Sequence, residues 1–306
     1  MRIVFMGTPD FAVPSLEKLI EEKFDVAAVF TQPDKPVGRK GVLTAPPVKT
    51  TALRHNIEVF QPQSLKDDSV YDLILSLKPE LIAVVAYGKI LPKRILEIPP
   101  KGCINVHGSL LPKYRGAAPI QRSILNGEET TGVTTMYMGE GLDTGDILLK
   151  EETPIGENET AQELFERLSV MGARLLVDTI DNLDTIKVQK QDDSLATYAH
   201  MIDRSLCPID WNKSAREIHN KVRALSGWPV AQTTFNGKRL KIHSGHIGEK
   251  TSADAGEIID NNKCIKVACG DGMSYVIDSL QLDGKKRMNS DVFLLGNNIK
   301  IGERFC

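Results

Sequence analysis

Short apolar runs alternate with longer polar or amphipathic stretches over the first half of the chain. Four of these runs are rich in Val, Ile and Phe and predict strands at Arg2–Met6, Val26–Thr31, Leu81–Ala86 and Cys103–His107. Strands that alternate with helical patterns are typical of βαβ units. We therefore predict an α/β fold with a mainly parallel, Rossmann-like sheet and helices on both of its faces.

Helical spacing marks three further segments. One helix is expected to begin near Pro14, because proline suits the first turn, and a short one covers Pro119–Asn126. A long helix is predicted from Thr160 to Asn182, and a strand over Val133–Met138. The apolar residues of the long helix recur at helical intervals: Leu164, Leu168, Met171, Leu175 and Leu176.

The last third of the chain has a different pattern, with a helix at Ser214–Leu225 and then several short strands separated by Gly, Asn and Asp turns. The strand patterns are Thr233–Phe235, Lys238–His246, Glu257–Ile259, Cys264–Ala268 and Met273–Leu282. Asn236-Gly237 predicts a tight hairpin between the first two. Such a series favours a smaller, OB-like β-barrel domain. Because residues 186–207 show no sustained periodicity, we expect a first domain over 1–188, a linker over 189–206 and the OB-like domain over 207–306.

Composition narrows the class of protein. Of the 306 residues 41% are hydrophobic and 25% charged, which is ordinary for a globular protein, and no run approaches the ~18 apolar residues that a membrane span requires. The chain starts directly with a strand pattern and has five scattered cysteines, so we expect a cytoplasmic protein without disulfides. Cys264 and Cys269, with His243 and His246, fit no zinc spacing, and no metal is expected.

Charge is unevenly distributed along the chain. Residues 206–306 carry 15 Lys and Arg against 11 Asp and Glu, a net of +4, although the whole chain is at −2. A basic stretch also lies between Gln32 and Gly41, where two prolines and two glycines predict an irregular loop that displays Lys35, Arg39 and Lys40. Both regions are interpreted either as solvated surface or as contacts to a polyanion, and composition alone favours a solvated connection for the loop.

Candidate chemistry concentrates at the end of the Cys103–His107 strand. Asn105 and His107 are two positions apart and should project from one face, and Asp143 lies in a later loop between Gly141 and Gly145. A side-chain amide and an imidazole can stabilise an oxygen that gains negative charge, and a carboxylate can orient the imidazole or relay a proton. This set suits acyl transfer to an amine, although a rim histidine and a turn aspartate are the commoner roles. Cys103 is interpreted as a packing residue.

Two other classes of protein receive less support. The turn at Gly7–Phe11 lacks the second and third glycines of a dinucleotide fingerprint, so a nicotinamide-dependent oxidoreductase is not indicated. A non-catalytic RNA-binding module would not need the complete set of Asn105, His107 and Asp143.

Several motifs resemble the methionyl-tRNA formyltransferase family, within the folate-dependent formyltransferase superfamily. They are Met6-Gly7-Thr8-Pro9-Asp10-Phe11, Thr31-Gln32-Pro33-Asp34, Val85-Ala86-Tyr87-Gly88, Ile104 to Pro112, Tyr114-Arg115-Gly116-Ala117-Ala118-Pro119-Ile120 and Gly141-Leu142-Asp143-Thr144-Gly145. The resemblance extends through Ile209-Asp210-Trp211 almost to the C-terminus. It implies that 10-formyltetrahydrofolate gives its formyl group to the α-amine of methionine on initiator methionyl-tRNA. Separately, we expect a cytoplasmic monomer that needs no metal.

The resemblance also assigns roles to individual residues. Asn105, His107 and Asp143 match the catalytic trio. Two segments match the folate-binding regions, namely Ser109, Leu110, Leu111 and Pro112, and Tyr87, Gly88, Lys89 and Ile90. Lys35, Arg39 and Lys40 match an arm that contacts the tRNA acceptor stem, and the basic C-terminal domain becomes a tRNA-binding domain.

One segment departs from the family pattern. Where the family usually carries lysines and acidic residues, this chain has His200 to Pro208, with Met201 in place of a lysine. Some tRNA contacts near the linker are therefore in doubt. Because the catalytic trio would serve other acceptors, a formyltransferase acting on an amino sugar nucleotide or another small amine is the alternative.

Overall fold

The structure is a computed structural model that describes residues 1–38 and 41–305. The chain forms two compact units. The first comprises residues 1–119, 131–153 and 165–199, and the second comprises residues 120–130, 154–164 and the chain from His200 onward. Residues 189–199, within the segment expected to be a linker, therefore lie in the first unit.

A seven-stranded sheet organises the first unit. Its strands run in the order β10-β9-β7-β6-β1-β2-β5. The strands up to Ala199 are β1 (Arg2–Gly7), β2 (Asp25–Phe30), β3 (Lys35–Val37), β4 (Val42–Thr44), β5 (Val59–Phe60), β6 (Leu81–Val85), β7 (Cys103–His107), β8 (Arg115–Gly116), β9 (Thr130–Tyr137), β10 (Ile147–Pro154) and β11 (Tyr198–Ala199). From β5 to β7 all pairs are parallel, whereas β9 joins β7 antiparallel. The mainly parallel sheet is confirmed, and β10 was not predicted.

Helices cover both faces of this sheet, as predicted. The helices up to Asp181 are α1 (Val13–Glu21), α2 (Pro47–Arg54), α3 (Asp68–Ser76), α4 (Lys93–Leu96), α5 (Pro119–Leu125) and α6 (Ala161–Asp181). Cys103 of β7 packs in one core cluster with Val70 and Ile74 of α3. On the opposite face Gly172 of α6 approaches so closely that an added Cβ would lie 2.8 Å from Cγ1 of Val106.

The second unit is the small antiparallel β domain that the pattern predicted, curled into half a barrel. Its strands are β12 (Ala231–Phe235), β13 (Lys238–Lys250), β14 (Ile258–Asp260), β15 (Ile265–Ala268), β16 (Met273–Leu282) and β17 (Met288–Asn289), with helices α7 (Ala215–Ala224) and α8 (Ser290–Gly296). The sheet order is β12-β13-β16-β15-β14, and β17 pairs with β16. Register shifts along β13 bend this long strand, since bulges increase local curvature.

Two local predictions in this unit are confirmed, namely the hairpin turn at Asn236-Gly237 and the helix that starts at Ser214. Asn236 and Gly237 have φ of 48° and 70°, the left-handed pair that a two-residue hairpin turn requires. The helix α7 begins at a capping box, in which the Ser214 hydroxyl accepts a hydrogen bond from the Glu217 backbone and the Glu217 carboxylate accepts one from Ser214.

The segment from Gln32 to Gly41 is more regular than predicted. Lys35–Val37 pairs antiparallel with Val42–Thr44, so the prediction of an irregular loop is wrong for Lys35–Val37. Pro36 is tolerated because each strand of a two-stranded ladder has an outer edge that needs no backbone donor. Arg39 and Lys40 lie outside the described residues.

The stretch after α6 stays in the first unit and pairs with strands β10 and β8 before the chain continues to the second unit. Gln189 forms an isolated antiparallel bridge with Ile147, and β11 pairs in parallel with β8. The hydroxyl of Thr197 accepts a hydrogen bond from the Tyr114 backbone at 2.8 Å. This returning segment (residues 186–199) thus supports the backbone of residues 114–117. No helix in the described ranges is long and apolar enough to cross a membrane.

Candidate active site

Asn105 and His107 lie on the face of β7 opposite to the one that α6 covers. Val106, between them, contacts α6, and side chains alternate along a strand, so the two polar residues share the other face as predicted. Asn105 is half-buried and His107 is buried. Both lie towards the carboxyl end of β7, the edge where open α/β sheets place their ligands.

The imidazole of His107 is held between a backbone carbonyl and a carboxylate. Its Nε2 lies 2.9 Å from the carbonyl oxygen of Tyr114, which can only accept, so Nε2 carries a proton. Its Nδ1 lies 3.7 Å from Oδ2 of Asp143. The His107 side chain is 6% exposed and that of Asp143 is 16% exposed. The structure therefore brings together two residues that are far apart in the sequence, and both side chains are largely shielded from solvent.

The loop that carries Asp143 is held in one conformation. Asp143 has a φ of 51°, and its Oδ2 accepts a hydrogen bond from the Gly116 backbone at 2.7 Å. A Cβ added at Gly145 would lie 1.7 Å from the carbonyl oxygen of Tyr137, so this position excludes every side chain. Aspartate tolerates the left-handed region better than most residues. The Gly116 backbone thus holds the carboxylate, and the close approach of Gly145 to Tyr137 restricts the loop that carries it.

The first predicted folate segment, Ser109–Pro112, is a turn whose alternate residues have different environments. The Ser109 hydroxyl donates to the Lys113 carbonyl at 2.7 Å, and the Thr134 hydroxyl donates to the Ser109 carbonyl at 2.7 Å. Leu111 is packed in the core with Met136 and Ile147. Leu110 and Pro112 are half-buried, so they are the members of this segment that can contact a ligand.

The second predicted folate segment, Tyr87–Ile90, is also a turn held by its neighbours. The Thr8 hydroxyl and the Gln32 amide both donate to the Tyr87 carbonyl, at 2.9 and 3.1 Å. The Tyr87 side chain is buried in the core, and burial raises the pKa of its hydroxyl to about 12. Lys89 donates to the Pro62 and Gln63 carbonyls, and Gly88 and Ile90 are exposed. The turn therefore presents its backbone and Ile90 outward, and the tyrosine ring inward.

A cluster of hydrogen-bonded polar side chains lies next to the hairpin of Lys35–Val37 and Val42–Thr44, which we call the basic hairpin. Lys49 donates to both oxygens of Asp34, at 2.8 and 2.9 Å, and Gln61 donates to Asp34 as well, at 2.8 Å. The hydrogen bonds from Lys49 and Gln61 lower the pKa of the Asp34 carboxyl. Lys35 is exposed on β3, whereas the predicted contacts Arg39 and Lys40 lie outside the described residues.

Two further features bear on the chemistry. Burial raises the pKa of the Cys103 thiol to about 12, which makes this residue a poor nucleophile and agrees with its interpretation as a packing residue. No group of three or more His, Cys, Asp or Glu side chains in the described part of the chain could hold a metal ion.

Three site residues were missed by sequence reasoning. They are Tyr114 and Gly116, which contribute only backbone atoms, and Gln191, whose side chain donates to the carbonyl oxygens of Asp143 and Gly145. The motif that contains Tyr114 and Gly116 could be recognised, but not the partner of each backbone group. Gln191 lies in a polar stretch without periodicity, where no signal marks it.

Comparison with known proteins gives a consistent picture. Residues 1–180 match the family described as formyl transferase, and residues 201–298 match the formyl transferase C-terminal domain. The chain is 51% identical over 306 residues to the methionyl-tRNA formyltransferase of Alkaliphilus metalliredigens, with 99% of this chain and 97% of that protein covered. The corresponding protein of Bacillus velezensis is 48% identical, with 99% and 96% covered.

Solved structures share the fold at lower identity. WlaRD, a sugar 3N-formyl transferase solved in the presence of dTDP and 5-N-formyl-THF, has a TM-score of 0.69 and 22% identity, and 94% of this chain and 99% of that chain are covered. An N-formyltransferase from Helicobacter canadensis, in complex with folinic acid and dTDP-3-aminofucose, has a TM-score of 0.70 and 22% identity, with 90% and 98% covered. At this identity the similarity shows the fold alone.

Proposed function

Since the chain belongs to the methionyl-tRNA formyltransferase family, we propose that Asn105, His107 and Asp143 carry out its transfer of a formyl group to the α-amine of methionyl-tRNA. The observation that carries this proposal is the pairing of His107 with Asp143 at 3.7 Å, at the carboxyl edge of the parallel strands. His107 lies at the end of β7 and Asp143 on a later loop, and the backbone of Tyr114 and Gly116 holds one side chain each.

Formyl transfer makes two electrostatic demands on the protein. The formyl oxygen gains negative charge as the amine attacks, and the amine must lose a proton. Asn105 can answer the first demand, because a positioned amide donor at a developing oxyanion commonly accelerates a reaction by about 10²–10³-fold. Since Nε2 of His107 already donates to Tyr114, the imidazole acts through Nδ1.

The proton that the amine loses is then held by the pair of His107 and Asp143, and it is passed to the folate nitrogen when the bond from that nitrogen to the formyl carbon breaks. At 3.7 Å the two groups are not hydrogen bonded, but such contacts often tighten when the substrate binds. The Asp143 carboxylate stabilises the imidazole when the imidazole takes up a proton, a contribution of about 10²–10⁴-fold for acid–base groups in general. Direct attack by the amine requires no enzyme nucleophile, which agrees with the raised pKa of Cys103.

The donor 10-formyltetrahydrofolate fits the two turns that flank this pair. When bound, it supplies an activated formyl group, a reduced pterin ring system and an aromatic aminobenzoyl ring. Half-buried Leu110 and Pro112 offer apolar contacts, and the exposed backbone at Gly88 offers polar atoms close to exposed Ile90. Aromatic ligands are commonly bound by such a combination of apolar side chains and a few backbone groups. Ser109, Leu111, Tyr87 and Lys89 shape these turns through the contacts described above.

We assign the transfer to the first unit and tRNA recognition to the basic hairpin and the second unit. Lys35, Arg39 and Lys40 would contact phosphates, and the net charge of +4 gives residues 206–306, which form the larger part of the second unit, the sign that RNA requires. We also propose that the enzyme works as a monomer in the cytoplasm. The alternative acceptor, an amino sugar nucleotide, is less supported. The relatives whose sequences are about 50% identical to this chain are named methionyl-tRNA formyltransferase.

An acceptor assay tests the proposed function. The purified chain is supplied with 10-formyltetrahydrofolate and either charged initiator tRNA or a dTDP-amino sugar, and the formylated product is measured. We expect product from the tRNA, and a His107→Ala variant slower by at least about 10²-fold. Formylation of the sugar alone would refute the acceptor, and a fully active His107→Ala variant would refute the site.

A further inference from the structure

Gln191 is a buried polar side chain on the returning segment, and its amide donates to the loop that carries Asp143 and, at 3.8 Å, to Sδ of Met136 on β9. Its Nε2 donates to the carbonyl oxygen of Asp143 at 2.8 Å and to that of Gly145 at 2.7 Å. The residue is 7% exposed. One side-chain amide therefore bridges two backbone carbonyls of this loop.

The other end of the same amide is fixed by a buried arginine. Oε1 of Gln191 accepts hydrogen bonds from Nε and Nη2 of Arg115, at 3.1 and 2.8 Å. Arg115 is 2% exposed, and its charge is paired with Asp193 at 2.8 Å. Because a guanidinium only donates and a backbone carbonyl only accepts, the orientation of the Gln191 amide is determined by its partners.

The residue that follows Arg115 binds the carboxylate of Asp143 directly. The residue after Arg115 is Gly116, whose N–H donates to Oδ2 of Asp143 at 2.7 Å. Asp143 is thus held at its carboxylate by β8 and at its carbonyl by Gln191, which is itself bound to β8. The left-handed φ of Asp143, 51°, is a conformation that persists where the surroundings determine it.

We infer that Gln191 is a positioning residue for Asp143, which it holds against His107 through a buried Arg115–Gln191 bracket. This inference rests on the proposed catalytic role of Asp143. Since a displacement of about 1 Å can lower a rate by about 10²-fold, loss of the bracket should lower kcat by about that factor. Substrate binding at the basic hairpin should be unaffected, because none of the contacts of Gln191 lies there.

Three variants test the inference in the full-length protein. Gln191→Glu keeps the size of the side chain and a partner for Arg115, but it places an oxygen against the carbonyls of Asp143 and Gly145. Gln191→Met removes both sets of hydrogen bonds. Gln189→Met is the matched control, because it removes an amide from an exposed position two residues earlier on the same segment.

The readouts are kcat at saturating substrates, melting temperature and the NMR resonance of the Gly116 amide, which reports its hydrogen bond to Asp143. We expect Gln191→Glu to lower kcat by about 10²-fold and to shift that resonance, while its melting temperature stays near that of the wild type. Gln189→Met should leave all three unchanged. In an Asp143→Asn background Gln191→Glu should cause no further loss, because the carboxylate that Gln191 positions is already gone.

The outcomes separate this inference from the proposed function. If Asp143→Asn is slow but Gln191→Glu is as fast as the wild type, or if the two effects multiply, Gln191 does not act through Asp143 and the inference is overturned. If Asp143→Asn is itself fast, the proposed function fails. In that case the Gly116 resonance still decides whether Gln191 holds Asp143: a shift in Gln191→Glu supports it, and an unchanged resonance refutes it. Should Gln191→Met not fold, Gln191→Glu gives the answer alone.

Discussion

Replacement of Asp143 by Asn is the perturbation whose effect the geometry defines best. The variant keeps an oxygen that can accept the hydrogen bond from Gly116, so the loop should stay in place. What it loses is a negative charge 3.7 Å from the His107 imidazole, in a site where both side chains are largely buried. The change is therefore electrostatic, with little alteration of shape.

The magnitude follows from Coulomb's law. Two unit charges about 4 Å apart interact by about 4 kcal/mol at the effective dielectric constant of about 20 that suits protein sites. If this interaction is present in the transition state, where the imidazole has gained the proton, and absent from the ground state, its loss lowers kcat by roughly 10³-fold. A smaller loss would indicate that water or Asn105 replaces part of the interaction.

The assay is the initial rate of formylation of charged initiator tRNA at saturating 10-formyltetrahydrofolate. Melting temperature and folate affinity should remain near those of the wild type, since the fold and the two ligand turns are unchanged. A variant within about tenfold of the wild-type kcat would refute the reasoning, because it would assign the Asp143 charge less than about 1.4 kcal/mol. A large loss of melting temperature would instead assign Asp143 a structural role.

The remaining predictions concern the loop, the hairpin base and the tRNA arm. Gly145→Ala should lower kcat strongly and reduce stability, since its Cβ would overlap the Tyr137 carbonyl; wild-type kinetics would contradict the rigid loop. Asp34 has a lowered pKa, so its contribution to stability is present above the ordinary value of 3.8 and is lost as pH falls further. Asp34→Asn should therefore melt below the wild type at pH 7 and equal to it at strongly acidic pH; a constant difference would count against this. Arg39→Ala should weaken tRNA binding and reduce the slope of log affinity against log salt by about one contact; an unchanged slope would exclude a phosphate contact.

Periodicity predicted most of the fold because burial imposes it. The five apolar residues predicted to share one face of α6, namely Leu164, Leu168, Met171, Leu175 and Leu176, are all buried, and the strand at Met273–Leu282 has the predicted bounds. The strand β10 (Ile147–Pro154) was missed because acidic residues interrupt its apolar positions. The short strand Lys35–Val37 was missed because a proline and the nearby glycines are read as breakers, although a two-stranded ladder tolerates them.

The site was predictable in its residue types but not in its connections. Asn105 and His107 share a face by strand alternation, which a sequence can show. The 3.7 Å between His107 and Asp143 depends on Gly116, Tyr114 and Gln191, and no periodicity records a backbone group or a single buried amide. The motifs that contain Tyr87 and Leu111 were identified by family resemblance, and the burial of these two side chains could not be read from it.

The returning segment determines where the protein can be truncated without loss of contacts at the site. The N-terminal family match stops at residue 180, and α6 ends at Asp181. A fragment that ends there would contain every residue of the catalytic trio. It would lack Gln191, which binds the Asp143 loop, and Thr197 and Ala199, which bind the backbone of residues 114–117. The shortest fragment expected to keep the geometry of the site therefore extends to Ala199, and swaps of the C-terminal domain between relatives should be joined after that residue.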